Sequence, residues 1–572
     1  MLNVQKILSA IVSFCIFALL LVMFFHPLYA LMQDLGLHLK TGEIILNTHH
    51  VPKTNLFSYT YPAFPFINHH WLSEVIFFII YKLSGFNGLL IVAVATAFIT
   101  FLLIFKAAKK TADIGALAIA SILYLGILFE RTDVRPEIFS SLFLSIFIVV
   151  LYKFREKFTK WIFILPLIEL LWVNIHIYFP IGIAVLGLFF LDGLWQNRKK
   201  LWCKYTGIFV IVIFLSLLAT LINPNFINGA IYPFRVFQNY GYTIEENQNI
   251  FFIWNYFHKM TTLYFFIACL ILFAVLIVNF KKGKIIDWLI AIFFTAVSIS
   301  AERNTTLFVF ATFIPFAGNL SATLQKLNAE RIKKYILIAS ILFLLLQIGQ
   351  SIKEKGFGFG TEKGAKNAAD FFLRENIKGP LFNNFDIGSY LDYRFYPKIK
   401  TFVDARPEAY PKKFFKKTYI PMQENPKIFQ KVSEKYKFNS IFFAYTDQTP
   451  WAISFLRQIV NNPNWKIVYL DDYAIILLKQ NPQNAMLIKK FLITQNSFNI
   501  NNLNADSFNS LMRVASFLDK AGWINQEVPV YQEILSKNPD FCPALYNLSV
   551  ILVNQKSPAA NIYINLFNSK CK

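Results

Sequence analysis

Eleven apolar runs in the first 350 residues constrain the fold of this chain more than any other feature. A helix of about 20 apolar residues crosses a bilayer, and each run reaches or approaches that length. The chain is 56% hydrophobic and 16% charged, whereas soluble chains average about 45–50% apolar and about 25% charged residues. This excludes a soluble multidomain enzyme and a disordered scaffold, and it predicts a polytopic α-helical membrane protein. The runs lie at about 7–31, 85–105, 113–129, 138–152, 161–173, 177–195, 205–222, 261–280, 285–300, 305–320 and 335–349.

The charged residues divide the chain into a membrane part and a soluble tail. Residues 1–350 carry 27 Lys and Arg against 15 Asp and Glu, a net charge of +12. The shorter stretch 351–572 carries 29 against 18, a net charge of +11. We therefore expect a transmembrane domain over 1–350 with a large first outer loop at 32–84. A small α/β domain over 351–480 and a helical segment over 481–572 complete the predicted organisation.

Loop charges predict the orientation of the eleven spans. With the N-terminus in the cytoplasm, the cytoplasmic loops carry 19 cations and the opposite loops carry eight. Because positive charge stays on the cytoplasmic side, this orientation is favoured, and an odd number of spans places the tail outside. An error of one in the span count would reverse the tail. The net charge of +23 thus reflects membrane topology, and no nucleic-acid partner is expected.

Polar residues that topology does not explain collect on the predicted outer face. Acid, imidazole and guanidinium groups meeting there suit chemistry on an anionic substrate. The alternative for the second outer loop is a purely structural cluster in which its acids pair with its arginines. The candidate residues for binding a substrate or its phosphate are Arg131, Asp133, Arg135, Asn174, His176, Arg303, His69 and His70.

The first outer loop also contains the candidate catalytic residues Asp34, His38 and Glu74. If the segment after Asp34 is helical, Asp34 and His38 lie one turn apart on one face. A carboxylate there could take a proton from an acceptor hydroxyl, with His38 or a bound cation tuning its pKa. The alternative is an interfacial helix with solvated charges. His70 and Glu74 are again one turn apart at the start of the next predicted helix.

A series of short motifs resembles bacterial GT-C-type membrane glycosyltransferase-like proteins over about residues 1–480, and their order along the chain is the stronger signal. In the membrane part they are Asp34-x-x-x-His38-Leu39-x-Thr41-Gly42-Glu43-x-Ile45-Leu46, Val51-Pro52, Phe57-Ser58-Tyr59-Thr60, His69-x-Trp71-Leu72-Ser73-Glu74, Arg135-Pro136-x-x-Phe139-Ser140, Leu171-Trp172-Val173-Asn174-Ile175-His176 and Asn223-Pro224. In the tail they are Leu381-Phe382-Asn383-Asn384-Phe385-Asp386-x-Gly388-Ser389-Tyr390-Leu391 and Phe402-Val403-Asp404-Ala405-Arg406.

The resemblance implies a GT-C-like fold and transfer of a sugar from a polyprenyl-phosphate donor to an extracytoplasmic acceptor. Relatives with that activity include protein O-mannosyltransferases and the transferase that adds aminoarabinose to lipid A. Asp34 would then be the catalytic base or the group that orients the acceptor. Arg131, Arg135 or Arg303 would hold the lipid phosphate, for which a guanidinium fork is well shaped. The implied location is the bacterial inner membrane, with membrane lipid as surroundings; no cofactor is firmly implied, and a divalent cation is left open.

Two departures from the family pattern keep other functions open. Leu35-Gly36-Leu37 stands where an aromatic pair is expected, and His70 stands where an acidic residue is expected before Trp71. A non-catalytic envelope assembly factor with the same fold is therefore one alternative. A transporter of lipid-linked sugar is another, although it would favour internal repeats among the spans, which the sequence does not show.

The tail alternates between predicted helices and strands, as in a small α/β domain. The helices are expected at Ala365–Glu375, Ile428–Tyr436 and Trp451–Asn461, and the strands at Gly379–Asn383, Ile399–Val403, Ser440–Phe443, Trp465–Leu470 and Ala474–Leu478.

The final stretch, about 482–572, resembles tetratricopeptide repeats. Asn504-Ala505-Asp506 and Asn538-Pro539-Asp540 lie 34 residues apart, and each precedes a predicted helix. An array of so few repeats is only marginally stable by itself. This segment is therefore expected to pack on the α/β domain or on a protein partner. Cys542 and Cys571 could pair in an oxidising compartment, and the sequence leaves that open.

Overall fold

The computed structural model describes residues 2–198, 204–235, 240–281, 283–327, 332–503, 505 and 507–571. The membrane part is a bundle of long apolar helices, as a polytopic membrane protein requires. Its helices are α1 (Leu2–Phe24), α2 (Leu35–Thr48), α3 (Trp71–Ala108), α4 (Ile114–Leu128), α5 (Glu137–Glu156), α6 (Leu165–Ile175), α7 (Pro180–Gln196), α8 (Lys204–Thr220), α9 (Phe226–Ile231), α10 (Ile250–Phe257), α11 (Met260–Val278), α12 (Ile285–Ser300), α13 (Thr305–Lys326) and α14 (Lys333–Lys355).

A helix coincides with each of the eleven apolar runs, while α2, α9 and α10 lie in the connections between them. Within the described residues, six helices have the length and composition to cross a membrane. Four others, α4, α7, α8 and α12, are apolar but only 10–17 residues long. The membrane class of the fold is therefore established, whereas the count of eleven crossings stays a prediction.

The first apolar run is helical over less of its length than its composition implies. Helix α1 ends at Phe24, and residues 25–29 leave the helix around Pro27, whose ring cannot donate a helical hydrogen bond. The backbone N–H of Leu28 instead donates to the carbonyl of Gly360 at 3.0 Å. The chain leaving α1 is thus tied to the chain leaving α14.

The tail contains a four-stranded sheet flanked by helices. The strands are β1 (Leu381–Asn383), β2 (Ser440–Ala444), β3 (Trp465–Leu470) and β4 (Ala474–Lys479), in the order β1-β2-β4-β3. β1 and β2 are parallel, and the other two pairings are antiparallel. The helices are α15 (Lys366–Arg374), α16 (Phe385–Phe395), α17 (Lys412–Phe414), α18 (Ile420–Glu424), α19 (Pro426–Tyr436) and α20 (Pro450–Ile459).

The strand predicted at Ile399–Val403 is wrong. This segment forms a single backbone bridge with the first outer loop, between Ser58 and Thr401, and it hydrogen-bonds to the sheet through the side chain of Asn383. The amide of Thr401 donates to the carbonyl of Phe57 at 3.2 Å, and the amide of Tyr59 donates to the carbonyl of Thr401 at 3.1 Å. The apolar side chains of the segment face the tail, where the ring of Phe402 packs against the rings of Phe382 and Phe438.

Arg406, in the tail, also stabilises the contact between the tail and the first outer loop. Its guanidinium lies 5.0 Å from the ring of Phe57 and 4.9 Å from the ring of Phe66. It also donates to both carboxylate oxygens of Asp404, at 2.9 and 2.8 Å. A cation between two aromatic rings and a carboxylate is stabilised by both kinds of contact. Through Arg406, the tail motif Phe402-Val403-Asp404-Ala405-Arg406 therefore holds the tail against the first outer loop.

The C-terminal segment consists of α21 (Ala485–Phe491), α22 (Phe508–Ala521), α23 (Ile524–Lys537), α24 (Cys542–Asn554) and α25 (Ala560–Cys571). The corresponding residues Leu511 and Leu545 are both buried, whereas Asn504 and Asp506 lie outside the described residues. A disulfide joins Cys542 to Cys571, so α24 and α25 form a closed hairpin. Membership of the tetratricopeptide family stays a prediction.

Candidate functional site

A pocket of about 370 Å³ lies where the predicted outer loops meet the tail. We call it the outer pocket. Its walls come from the residues just before α2, from the connections that precede α5, α10, α11 and α13, and from the tail at the start of α16 and at Ala405. Its lining residues are Gln33, Asp34, Glu130, Arg131, Asp133, Arg135, Glu137, Ile244, Glu245, Glu246, Lys259, Glu302, Phe385 and Ala405.

Asp34 occupies the N-cap position of α2, but its side chain caps no backbone amide. Within the described residues, its Oδ1 atom is buried without a hydrogen-bond partner. The Nε atom of Arg135 is also buried and without a partner, and it lies 3.8 Å from Asp34 Oδ1. Buried polar atoms are nearly always hydrogen-bonded, so this pair can receive a further polar group.

Close packing of α2 fixes the position of Asp34. A Cβ atom at Gly42 would lie 2.1 Å from the carbonyl oxygen of Glu74, so only glycine lets α2 lie against the start of α3. A Cβ atom at Gly36 would lie 3.0 Å from Cβ of Tyr393 in α16. Leu35-Gly36-Leu37, which stands where the family pattern has an aromatic pair, thus fits this packing. Leu35 and Leu37 are buried, and α16 covers Gly36.

Three arginines converge on the carboxylate of Glu246 at one end of the outer pocket. The distances from Glu246 are 2.6 Å to Arg131 Nη1, 3.2 Å to Arg135 Nη1 and 3.6 Å to Arg303 Nη1. Burial opposes ionisation, but the guanidinium groups hold the pKa of Glu246 well below its usual value. Burial likewise opposes the charge on Arg135, and the carboxylates of Asp34 and Glu246 outweigh it and raise its pKa.

The opposite end of the outer pocket is acidic. The ammonium of Lys259 lies 2.8 Å from Glu245, 3.1 Å from Glu130 and 3.1 Å from Glu302. Burial opposes its charge, yet these three carboxylates raise the pKa of Lys259. The pocket therefore has an arginine end, where charges nearly balance, and an acidic end with an excess of carboxylates.

Beside the outer pocket lies a histidine cluster, formed by Glu74 and by His38, His69, His70 and His176. Glu74 Oε1 lies 3.0 Å from His38 Nδ1, and Glu74 Oε2 accepts from Asn68 Nδ2 at 2.6 Å. The ring of His70 lies 4.0 Å from that of His69, 5.3 Å from that of His38 and 5.1 Å from that of His176. The predicted pairing of His38 with Asp34 is replaced by its contact with Glu74.

Three imidazoles of the histidine cluster, those of His69, His70 and His176, favour the neutral form. Burial lowers the pKa of His69 to about 4 and lowers the pKa values of His70 and His176 well below their usual range. Tyr178 connects the cluster to the arginine end, since its ring lies 4.6 Å from that of His176 and its hydroxyl accepts from Arg303 Nε at 3.1 Å. These three imidazoles can position groups of the pocket without adding positive charge.

The structure brings together only part of the predicted site. Asp34, Arg131, Asp133 and Arg135 line the outer pocket, and Arg303 reaches it through Glu246. The remaining predicted residues lie in or beside the histidine cluster; they are His38, Glu74, His69, His70, His176 and Asn174. Asn174 accepts from Trp71 Nε1 at 2.8 Å and donates to the carbonyl of Ile222 at 2.9 Å.

Sequence reasoning overlooked the carboxylates that face the arginines and Lys259. Glu245 and Glu246 stand side by side in a predicted outer loop, and a search for counterions of the outer arginines would have found them.

A divalent cation does not fit this arrangement. The described residues contain no group of three or more His, Cys, Asp or Glu side chains able to hold a metal ion. Guanidinium groups surround Glu246 and face Asp34, so a cation between these two carboxylates would meet positive charge.

Solved structures share this fold, while no protein-family profile and no curated protein sequence matches the chain. The oligosaccharyltransferase AglB from Archaeoglobus fulgidus, solved with an inhibitory peptide and dolichol-phosphate, has a TM-score of 0.57 at 12% identity, over 94% of this chain and 86% of that chain. The same oligosaccharyltransferase with zinc and sulfate has a TM-score of 0.54 at 12% identity, over 92% and 86%. ArnT from Cupriavidus metallidurans has a TM-score of 0.48 at 12% identity, over 82% and 97%. The GT-C resemblance predicted from the motifs is thus confirmed for the fold.

Proposed function

We propose that this GT-C-fold protein is a membrane glycosyltransferase that moves a sugar from a polyprenyl-phosphate donor to an extracytoplasmic acceptor. The acceptor belongs to a cell-envelope glycan, lipid or protein. The observation that carries the proposal is the buried pair of Asp34 Oδ1 and Arg135 Nε, 3.8 Å apart and without other hydrogen-bond partners in the described structure. A base and a phosphate-binding group side by side are what such a transfer needs.

In the proposed reaction Asp34 accepts the proton of the acceptor hydroxyl. The acceptor oxygen forms a bond to the anomeric carbon of the sugar, and the bond from that carbon to the phosphate oxygen breaks. The electron pair of the broken bond leaves with the polyprenyl phosphate. Arg135 next to Asp34 stabilises the charge that develops on this leaving group.

The arginine end of the outer pocket suits a lipid phosphate. Glu246 already places an anionic oxygen against three guanidinium groups, which is the contact that a phosphate oxygen would make. Arg131 and Glu137 also border a narrow apolar crevice formed by residues such as Leu20, Phe24 and Phe310. The crevice has a volume of only about 20 Å³, so an isoprenoid chain would have to widen it to bring its phosphate to the arginines.

No step of the proposed reaction uses a metal ion, because guanidinium groups face the carboxylates of Glu246 and Asp34, where the reaction is proposed to occur. Zinc and sulfate bound to the oligosaccharyltransferase are a property of that protein. In this chain the guanidinium groups would supply the positive charge that stabilises the phosphate leaving group.

We further propose that the tail lies outside the cytoplasmic membrane, as the loop charges predict. The disulfide between Cys542 and Cys571 supports this location, since disulfides persist in oxidising compartments. A reporter that is active only in the periplasm, fused after Lys479, should be active. A silent fusion together with an active cytoplasmic reporter would contradict the orientation.

The function is tested by comparing envelope glycans and glycolipids in cells that lack the protein with cells that express it. Wild type and Glu43→Gln, which removes a carboxylate from the same helix outside the outer pocket, should restore the profile. Asp34→Asn at the same protein level should not. If Asp34→Asn restores the profile fully, catalysis by Asp34 is wrong, and the assembly-factor or transporter alternative replaces the transferase.

A further inference from the structure

A second cavity, of about 210 Å³, opens at the opposite end of the helix bundle from the outer pocket. Helix α5 shows the separation, because Glu137 at its start lines the outer pocket and Glu156 at its end lines the second cavity. At a rise of 1.5 Å per residue these ends are about 28 Å apart. The ends of α3, α5 and α12 and the middle of α13 form the walls. We call it the lysine cavity.

Three ammonium groups line the lysine cavity, from Lys110, Lys153 and Lys284. Lys284 lies 3.6 Å from Glu156. Lys110 and Lys153 are exposed, and neither pairs with a carboxylate in the described part of the chain. Two cations at the rim of the cavity are therefore available to an anion.

The floor of the lysine cavity is polar and already satisfied. The buried carboxylate of Asp287 accepts from the hydroxyl of Tyr152 at 2.8 Å and from Asn319 Nδ2 at 3.0 Å. Asp287 therefore does not need Lys110 or Lys153 as a counterion. Helix α12 begins at Ile285 beside the cavity, and the partial positive charge of a helix N-terminus also favours an anion there.

The size and position of the lysine cavity indicate what kind of anion fits. Small-molecule sites usually have about 300–1,000 Å³, so a cavity of about 210 Å³ suits a headgroup rather than a nucleotide sugar. This end of the bundle carries most loop cations and is predicted to face the cytoplasm. The cytoplasmic leaflet presents anionic lipids, and basic pockets between helices on that side bind their headgroups.

We infer that the lysine cavity binds the phosphate of an anionic membrane lipid, held by Lys110, Lys153 and the N-terminal end of α12. This binding site is separate from glycosyl transfer and does not depend on the proposed reaction. The bound lipid headgroup would fill the space between the C-terminal end of α5, the start of α12 and the middle of α13.

The test uses the full-length protein, stripped of lipid in detergent and titrated with phosphatidylglycerol or phosphatidylcholine, with bound lipid counted by native mass spectrometry. The double variant Lys110→Gln/Lys153→Gln removes the two unpaired cations. The control Lys109→Gln/Lys157→Gln removes the same charge from the same end of the bundle at positions that do not line the cavity. Unchanged thermal unfolding confirms that each variant is folded, and a glycerol phosphate competitor separates a lipid from a soluble phosphate.

Wild type and the control should bind phosphatidylglycerol with equal affinity and phosphatidylcholine weakly. The cavity variant should bind phosphatidylglycerol about tenfold more weakly, because two cations near the headgroup are lost. Equal weakening in both variants would show a general surface potential and overturn the site. No weakening in either variant would also overturn it. If glycerol phosphate binds as tightly as phosphatidylglycerol and displaces it, the ligand is a soluble phosphate and the proposal of a lipid is wrong.

Discussion

The outer pocket and the histidine cluster both draw on the first outer loop, yet they differ in charge and in solvent contact. The outer pocket is open and lined by ionised groups. Their opposite charges lower the pKa of Glu246 and raise the pKa of Arg135, so both stay ionised. In the histidine cluster, burial lowers the pKa values of His69, His70 and His176, that of His69 to about 4.

This difference separates two kinds of contribution to a site. Asp34 has an unpartnered carboxylate oxygen, so it is available to a ligand. Glu74 has both oxygens engaged, by His38 and by Asn68, so it positions its neighbours. Carboxylates that look equivalent in a motif thus differ in whether their hydrogen bonds are already made.

The largest effect should come from Asp34. Asp34→Asn removes the base and should lower turnover by about 10²–10⁴-fold, measured with a polyprenyl-phosphate sugar donor in vesicles. The fold should be unaffected, since Asp34 Oδ1 makes no hydrogen bond in the described structure. Glu43→Gln on the same helix is the control and should keep full activity. A loss of less than tenfold for Asp34→Asn would contradict its role as the base.

Arg135 tests the phosphate end of the same pocket. Arg135→Gln should raise the KM for the donor by about tenfold to a hundredfold, because a hydrogen bond to a charged group contributes about 1.5–3 kcal/mol. Arg235→Gln, which removes an exposed guanidinium from another predicted outer loop, should change neither KM nor kcat. If the KM for the donor is unchanged in Arg135→Gln, the lipid phosphate binds elsewhere.

Glu74 should affect stability first. Glu74→Ala leaves the buried donors of His38 and Asn68 without an acceptor, which should lower the free energy of unfolding by about 2–4 kcal/mol. The midpoint of thermal unfolding in detergent measures it. Glu43→Ala loses only a surface pair with Lys40 and should shift the midpoint little. Loss of activity in a Glu74→Ala protein of unchanged stability would instead place Glu74 in the chemistry.

The histidine cluster should also make stability depend on pH, with the smallest effect of the four. His69 has a pKa of about 4 when folded, below the unfolded value of about 6.5. The unfolded chain binds more protons between these values, so stability is lost as pH falls from about 6.5 towards 4. His69→Gln should flatten that decline in unfolding midpoints. An identical slope in both proteins would show that the cluster does not titrate on unfolding.

Two strands of the tail could be predicted from the sequence, whereas the pairing of a third segment could not. Ser440–Phe443 and Ala474–Leu478 are consecutive apolar runs, and burial on both faces of a sheet requires that pattern. Ile399–Val403 is apolar at three of its five positions, but its backbone pairs with Phe57–Tyr59 in the first outer loop. Sequence periodicity indicates that a segment is extended and does not identify the chain segment with which it pairs.

The sequence by itself determined that this chain is a polytopic helical membrane protein, because apolar runs of that length have no alternative burial in water. It also placed the polar candidates on one face through the loop charges. Only the tertiary structure decided which candidates meet: Arg131 and Arg135 face Glu246, while His38 faces Glu74. Helix packing governs that choice, since Gly42 lets α2 approach α3 and turns Asp34 and His38 towards different partners.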